Sequence, residues 1–513
     1  MAIKVPTDIR SWQARMAVIV IFLLSILLRL PTLIHPLAEH HESNTAEALI
    51  NIESWRHAGG GDRFNYVPLQ NFQNFGDRSP VKSPVVDNRG NTLYIEYGPG
   101  WYMLPYFLFQ ILDWPAEPFY LKMLNLLFEF AAVMMFFQLS ERLMSRRPEK
   151  YRGVIIACTL FIFSPAIMWY LGNGYVNTGI MLPLVMAVLW LMLPMVQSPV
   201  KMPFWRLALI FLSLIVLIYI DWFMVFFGIV ASIWSLTRIG RDKKYWFLSG
   251  VLILGSVSAV ALIFAQLASY VGAQNVWSWW KQSFLERSVA QKGPPVWKMT
   301  GGILWFVLTG YFPVVLVLGW SFVQKVVFKR DFDFSRKERR IMGVYAVAVL
   351  VYNLSLMRWS SEHEFALVPL SVLVCYLAAR MGIEWINKFN FFKIMGFVVV
   401  LSIVQYYVIN RPGKVGGDGT RYDVYKKLGM EVKKLPEKYA LFMNRDWIAP
   451  IDFYAQRNIR MVDNIDSARA FVRKWGVSQA MWIEHKNYKF IGTVVISSST
   501  SSAADTVVSY SSR

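Results

Sequence analysis

The sequence predicts a polytopic α-helical membrane protein, and three observations support this. Of its 513 residues, 55% are apolar and the mean hydropathy is +0.38, which is too apolar for a soluble enzyme of this length. Apolar runs recur along most of the chain at lengths that match or approach the roughly 30 Å of hydrocarbon in a bilayer. Basic residues concentrate in every second loop between these runs, as the positive-inside rule requires.

The apolar runs predict about eleven transmembrane helices. They cover residues 16–34, 119–140, 153–171, 177–197, 205–220, 222–237, 246–266, 301–323, 341–357, 365–380 and 391–409. The first run has no small-residue cleavage site behind it, so we interpret it as an anchor. Cys158 and Cys375 both lie inside apolar runs, so we expect no structural disulfide and no metal–thiolate site.

The charge distribution predicts the orientation of the chain in a plasma (inner) membrane. Loops assigned to the cytoplasm hold 24 basic and 8 acidic residues, which is +16 of the formal net charge of +20. The N-terminus is therefore predicted to be cytoplasmic and the C-terminus extracytoplasmic. Because the basic residues are dispersed over many loops and form no continuous stripe, we expect no nucleic-acid partner.

The predicted topology leaves three large pieces on the outer side. A large first loop covers residues 35–118, a second loop covers 267–300, and the C-terminal residues follow 410. We divide the chain into a transmembrane domain, 1–410, and an extracytoplasmic domain, 411–513. Helical and strand-like patterns alternate in the latter, which predicts a small α/β domain.

The 35–118 loop contains four of the six histidines and a cluster of acidic residues. Asn44 and Glu47 have the spacing of a capping box, which predicts a helix from there to about Trp55, lying along the membrane surface. Residues 58–91 lack periodicity and predict a mobile loop that orders over substrate as a lid. The apolar stretch 101–113 is too short to span and predicts a second short helix.

Three carboxylates in this pattern are candidate catalytic groups. Glu42 stands between the first span and the predicted surface helix, and Glu96 stands near the end of the same loop. Asp221 joins two apolar runs of 16 residues each, which places it below the membrane surface. Poor access to water raises a carboxyl pKa towards that of a useful general base. We interpret Glu47 as the helix cap rather than as a catalytic group.

Four basic residues are candidates for binding an anionic donor phosphate. Arg358 and His363 lie on a predicted outer turn, and Lys281 and Arg287 lie among tryptophans in the 267–300 loop. Arginine and protonated histidine suit phosphate binding, while aromatic and basic side chains also favour the lipid headgroup layer. Simple anchoring to membrane lipids is therefore the alternative for these residues. Lys122, near the start of the second apolar run, is expected to snorkel to the surface.

Histidine and carboxylate residues in the 35–118 loop also suggest a divalent metal site. Its candidate ligands are His41, Glu42 and Glu96. Neighbouring histidines point in different directions, and their spacing matches no standard metal-binding template. No other cofactor is predicted.

Four segments, in this order, resemble glycosyltransferases of the GT-C fold, a family that includes protein O-mannosyltransferases and the lipid A aminoarabinose transferase. The resemblance covers the layout of residues 16–410, and the chain departs from the family at Asn177 and Asp221-Trp222. The segments are Arg29-Leu30-Pro31, Glu42 with Ser43-Asn44-Thr45-Ala46, Glu96-Tyr97-Gly98-Pro99-Gly100-Trp101-Tyr102, and His363 through Pro369.

The resemblance implies a membrane enzyme that transfers a hexosyl or pentosyl group from a polyprenyl-phosphate-linked sugar to an extracytoplasmic acceptor, which is a protein, lipid or glycan. A carboxylate general base, here Glu42, would give inversion at the anomeric carbon. Two alternatives belong to other classes. One is a lipid or solute transporter or flippase, although no internal repeat is visible. The other is an outer-leaflet polysaccharide polymerase or ligase.

Overall fold

The computed structural model describes most of the chain. The described residues are 9–37, 42–145, 149–197, 203–242, 244–290, 293–329, 334–383, 388–409, 423–444, 449–486, 489–496 and 507–508. Clustering of backbone contacts divides the chain into two compact units. The first comprises Met1–Leu33, Met123–Ile263 and Lys281–Asn410, and the second comprises Ile34–Lys122, Phe264–Trp280 and Arg411–Arg513.

Helices dominate the described residues. In chain order they are α1 (Ser11–Leu33), α2 (Glu42–His57), α3 (Gly100–Ile111), α4 (Pro118–Leu143), α5 (Lys150–Ile162), α6 (Pro165–Tyr170), α7 (Asn177–Gln197), α8 (Phe204–Ile220), α9 (Phe223–Leu236), α10 (Lys244–Val271), α11 (Ala273–Arg287), α12 (Val296–Val326), α13 (Arg336–Ser355), α14 (Met357–Glu362), α15 (Leu370–Gly382), α16 (Lys388–Ile409), α17 (Val424–Lys433), α18 (Ala449–Ala455) and α19 (Ile465–Trp475). The strands are β1 (Ala440–Asn444), β2 (Ile459–Val462), β3 (Ala480–Lys486), β4 (Lys489–Ile496) and β5 (Val507–Val508).

Every predicted apolar run contains helix, and the structure has the character of an integral membrane protein. Within the described residues, five helices are long and apolar enough to cross a membrane. These are Ser11–Leu33, Pro118–Leu143, Asn177–Val196, Lys244–Val271 and Val296–Val326. The run 153–171 forms two helices, α5 and α6, because Ser164 is extended and Pro165 starts the second.

A buried ion pair ties α1 to α4 in the first unit. Arg29 and Glu129 are both fully buried, and two hydrogen bonds of 2.8 and 3.1 Å join their charged groups. Arg29 also donates to the carbonyl of Met168 at 3.1 Å. A Cβ on Gly172 would lie 2.7 Å from the guanidinium, so the chain comes close here only because residue 172 is glycine. The pair supplies the counter-charge that a buried arginine requires.

A mixed five-stranded sheet lies in the second unit, in the order β2-β1-β3-β4-β5. Strands β2, β1 and β3 are parallel, while β4 and β5 are antiparallel to their neighbours. Leu441 and Met443 of β1 pack with residues of α17 and α18, whereas Ala440 and Phe442 pack with residues of α19. Both faces of β1 are therefore buried, as expected for a central parallel strand.

The capping box predicted at Asn44 and Glu47 is wrong. Helix α2 begins at Glu42, two residues earlier, so Asn44 and Glu47 both lie inside the helix. A helix does cover the predicted range, and the short stretch predicted at 101–113 also forms a helix, α3. The correction changes the interpretation of Glu47, which is available for a role other than capping.

Candidate active site

Glu42, the first residue of α2, lies in a buried ion pair in the second unit. Its carboxylate oxygen is 3.0 Å from the Lys122 ammonium, and both side chains are fully buried. Lys122 also donates to the backbone carbonyl of His35 at 3.3 Å. The prediction that Lys122 snorkels to the surface is therefore wrong, because the buried carboxylate gives the lysine a partner in place of water.

Glu47 and Glu96 form a second carboxylate pair in the same unit. Burial raises the pKa of Glu47 to about 7, and the negative charge of Glu96 acts in the same direction. Two carboxylates close enough to oppose each other's ionisation favour a state in which one holds a proton. The sequence singled out Glu96 but treated Glu47 as a cap, so this pair was missed.

Buried amides fix the chain segment that leads to Glu96. The side-chain oxygen of Asn51, on α2, accepts from the backbone N–H of Leu69 at 2.7 Å. Asn71 in turn accepts from the backbone N–H of Thr92 at 2.7 Å. Because both asparagines are fully buried, these bonds have no competition from water and hold residues 67–71 between α2 and residues 92–94.

An aromatic contact holds the same segment from another helix. The indole N–H of Trp280, on α11, donates to the carbonyl of Ile95 at 2.8 Å. Tyr94 and Tyr97 stack with an interplanar angle of 2°, and Trp101 packs edge-on against Tyr94. Glu96 thus stands on a short segment whose neighbours are all fixed by packing or hydrogen bonds, which favours a defined carboxylate position.

Asp221 is fully buried in the first unit, at the end of α8. One carboxylate oxygen accepts the backbone N–H of Phe223 at 2.6 Å. The other oxygen has no hydrogen-bond partner among the described residues. In that part of the chain no ion pair joins Asp221 to a basic side chain, including the four predicted phosphate ligands. A buried carboxyl with an unsatisfied oxygen is costly, which is a common property of functional positions.

Trp359 brings two of the predicted phosphate ligands together in the first unit. The ring of His363 stacks on Trp359 with centroids 3.6 Å apart, and the guanidinium carbon of Arg287 lies 4.5 Å from the Trp359 ring. The pKa of His363 is lowered to about 4, mainly by burial and to a smaller extent by the positive charge of Arg287. His363 is therefore neutral at pH 7, and Arg287 supplies the positive charge of this cluster.

The other two predicted phosphate ligands lie nearer the surface. Arg358 pairs with Glu362 of the same helix at 3.2 Å, with both side chains partly exposed. Lys281 is exposed on α11, and the described residues include no hydrogen-bond or ion-pair partner for it. Next to this region the hydroxyl of Tyr170 donates to Glu364 at 3.0 Å. Of the four predicted phosphate ligands, Arg287 and His363 are the two that the structure places against a shared residue, Trp359.

The predicted metal site involves a residue that is not described. His41 lies outside the described residues, while Glu42 and Glu96 lie within them. In the parts of the chain that the structure covers, no group of three histidine, cysteine, aspartate or glutamate side chains is arranged to hold a metal ion.

Known structures share the arrangement of these helices. The apo form of ArnT from Cupriavidus metallidurans matches with a TM-score of 0.59 at 12% identity, over 94% of this chain and 98% of that one. ArnT bound to undecaprenyl phosphate matches with a TM-score of 0.57 at 11% identity, over 95% of this chain and 98% of that one. The chain has the GT-C fold.

A larger protein also matches. The oligosaccharyltransferase AglB from Archaeoglobus fulgidus, in complex with an inhibitory peptide and a dolichol-phosphate, has a TM-score of 0.56 at 12% identity, over 92% of this chain and 69% of its own. No family model and no curated protein sequence matches the chain. At these identities the likeness establishes the GT-C fold, while the chemistry has to be argued from the residues.

Proposed function

We propose that this protein is a membrane glycosyltransferase that moves a sugar from a polyprenyl-phosphate donor to an acceptor hydroxyl on the extracytoplasmic face. The observation that carries the proposal is the buried Glu42–Lys122 ion pair at the start of α2, in a chain with the GT-C fold. A buried carboxylate held by a specific cation is a candidate functional group. Structures of the same fold contain undecaprenyl phosphate or dolichol-phosphate, which supports the donor class.

In the proposed reaction Glu42 is the general base. It removes the proton of the acceptor hydroxyl while that oxygen bonds to the anomeric carbon and the bond from this carbon to the phosphate oxygen breaks. Attack opposite the phosphate inverts the configuration, and polyprenyl phosphate leaves. Lys122 supports this role by fixing the carboxylate, and Glu47 with Glu96 provides a second acidic pair for sugar hydroxyls or protons.

The leaving phosphate needs positive charge as the bond breaks. We assign this role to Arg287, which is oriented by Trp359. His363 has a neutral ring, so it contributes a hydrogen bond and no positive charge. Arg358 and Lys281 are proposed to attract the donor, since both are more exposed. Asp221 is proposed as an additional acidic group of the first unit, on the basis of its burial and its unsatisfied oxygen.

A divalent cation held by His41, Glu42 and Glu96 is a separate proposal that rests on the sequence. Removing divalent ions with a chelator before the transfer assay tests it. Loss of transfer, restored by adding back the metal, is the expected result for a bound ion. Full transfer after chelation would remove the metal from the mechanism.

We also propose the membrane topology given by the charge pattern, with eleven spans, a cytoplasmic N-terminus and an extracytoplasmic C-terminus. Residues 1–410 would form the transmembrane domain and 411–513 the extracytoplasmic domain. Helices in all eleven apolar runs support the count. Cysteine labelling from either side of sealed vesicles, at Lys82 and at Lys434, tests the orientation, because both are exposed and are assigned to the outer side.

Transfer of labelled sugar out of the polyprenyl-phosphate pool in membrane vesicles tests the reaction. Vesicles that contain the protein should move label from lipid to acceptor extract, and vesicles without it should not. A transporter or flippase would move labelled lipid or solute between compartments while the sugar–phosphate bond stays intact. Intact donor lipid in the presence of acceptor would therefore favour that alternative.

A further inference from the structure

The stretch Asp452–Arg460, which covers the end of α18 and the start of β2, touches two parts of the 35–118 loop in the second unit. We call this stretch the clamp. One contact is beside Glu42, and the other is at residues 74–78, in the segment that leads on to Glu96. Both partners belong to the candidate site, although the clamp is more than 300 residues away from them in sequence.

Tyr454 makes the contact beside Glu42. Its hydroxyl oxygen accepts the backbone N–H of Leu37 at 2.8 Å, five residues before Glu42. Burial raises the pKa of the Tyr454 hydroxyl, and the charge of Glu42 acts in the same direction, so the carboxylate lies within electrostatic reach. The clamp therefore fixes the backbone at Leu37, five residues before the candidate base.

Two arginines make the contact with residues 74–78. Arg457 approaches Asp77 at 3.4 Å, and the backbone N–H of Asn458 donates to the same carboxylate oxygen at 3.0 Å. Arg460 donates to the carbonyl of Gly76 at 2.9 Å and to that of Arg78. Arginine captures backbone carbonyls well because its donors form a rigid fork.

Gly76 allows the two surfaces to meet at backbone distance. A Cβ at this position would lie 2.4 Å from the carbonyl oxygen of Tyr439. The backbone of Gly76 does not have the left-handed conformation that glycine favours, so its φ angle would accept alanine. The close contact with the Tyr439 carbonyl is what excludes alanine at this position. Arg457 donates to the same Tyr439 carbonyl at 2.6 Å, which places the glycine contact inside the clamp interface.

We propose that the clamp is a positioning device for the candidate site, with Tyr454 acting on Glu42 and the Arg457–Arg460 side acting on the segment that carries Glu96. This assigns the C-terminal elements a role in positioning the candidate catalytic residues. The inference rests on the proposed function for its catalytic consequence, whereas the contacts themselves can be tested without any substrate.

Hydrogen–deuterium exchange of the purified full-length protein in lipid nanodiscs tests the contacts. Tyr454→Phe removes one hydrogen bond and should speed exchange in peptides covering 34–50 by about fivefold, while Gly76→Ala and Arg460→Met should speed exchange in peptides covering 72–95 by about tenfold or more. Gly492→Ala is the matched control, because a Cβ there meets open space. Exchange equal to the control in both regions would overturn the proposal.

Exchange in the sheet separates release of the clamp from unfolding. Peptides from β1 and β3 should keep wild-type exchange in the variants. Faster exchange in these strands would mean that the 72–95 segment is an integral part of the fold, and the positioning role would be rejected.

Turnover in vesicles tests the catalytic consequence. A displaced base lowers the maximal rate and leaves the donor concentration for half-maximal rate unchanged. We therefore expect Tyr454→Phe to lower the maximal rate alone. Arg460→Lys should recover part of the rate lost in Arg460→Met. Equal rates for all variants would overturn the positioning role. If wild-type vesicles transfer no sugar, the proposed function fails and the positioning role falls with it, while exchange still reports whether the contacts exist.

Discussion

Breaking the buried ion pair at the start of α2 should destabilise the protein strongly. Glu42 and Lys122 are both fully buried, and their charged atoms are 3.0 Å apart. At this distance Coulomb's law with an effective dielectric constant of 20 gives a gross attraction of about 5.5 kcal/mol. Lys122→Met leaves the carboxylate buried without its counter-charge, so we expect a loss of about 3–5 kcal/mol in the free energy of unfolding.

The double variant makes this prediction specific. When Glu42→Gln is added to Lys122→Met, neither position carries a buried charge, and stability should return to within about 1–2 kcal/mol of wild type. Lys434→Met is the control, since Lys434 pairs with Glu431 at 2.8 Å on an exposed surface, where such pairs contribute about 1 kcal/mol or less.

The assay is denaturant unfolding in lipid nanodiscs, followed by tryptophan fluorescence. Its midpoint should fall in Lys122→Met, recover in the double variant and change little in Lys434→Met. If Lys122→Met unfolds at the same midpoint as Lys434→Met, the ion pair does not fix Glu42, and the reasoning about this carboxylate is refuted.

Three further predictions follow from the other clusters. Glu129→Gln should lower stability by about 3–5 kcal/mol in the same unfolding assay, because Arg29 would keep a buried charge with no anion, and an unchanged midpoint would contradict this. Because the folded-state pKa of Glu47 is raised to about 7 from 4.5, its contribution to stability is present below about pH 4.5 and is lost as pH rises through 7. Glu47→Gln should therefore flatten the fall of the melting temperature between pH 5 and 8, and a parallel fall in both proteins would exclude the pair. Trp359→Ala should raise the donor concentration for half-maximal transfer about tenfold by releasing Arg287, and an unaltered value would separate this cluster from donor binding.

The helices were predictable because apolar runs of membrane length leave few other structures for the backbone. Glu42 is a candidate in the sequence for a related reason, since a charge that follows closely on an apolar run needs an explanation, and its catalytic role stays a prediction. Its partner was not, because Lys122 is 80 residues further along the chain and its position near a predicted membrane boundary suited snorkelling equally well. Only the contact in the structure, where the Lys122 ammonium lies 3.0 Å from Glu42, decides between a buried ion pair and snorkelling.

The helix cap shows how a short motif misleads. Asn44 and Glu47 have capping-box spacing, yet α2 starts at Glu42. Ser335 and Glu338 have the same spacing, and there both reciprocal hydrogen bonds form at the start of α13. The pattern is compatible with either outcome, because tertiary packing decides where a helix begins.

The clamp was beyond sequence analysis for a different reason. Tyr454 and Arg460 bond to backbone groups, the N–H of Leu37 and the carbonyl of Gly76, and these partners are far away in sequence. A bond to a backbone carbonyl or N–H leaves no residue-type signal at the partner position. Trp359 was missed for another reason, because Arg287 lies on a different helix, α11, far away in sequence.

The most direct test of the central claim compares wild type, Glu42→Gln and Glu42→Gln with Lys122→Met at matched expression, in vesicles that contain labelled polyprenyl-phosphate sugar and an acceptor extract. The double variant is included because Glu42→Gln alone leaves the Lys122 ammonium buried without its counter-charge. Loss of a general base should lower transfer by about 10²–10⁴-fold while donor lipid still binds. Glu117→Gln, at an exposed position of the same loop, should transfer at the wild-type rate. Wild-type transfer by Glu42→Gln would contradict the account and remove Glu42 from the chemical step.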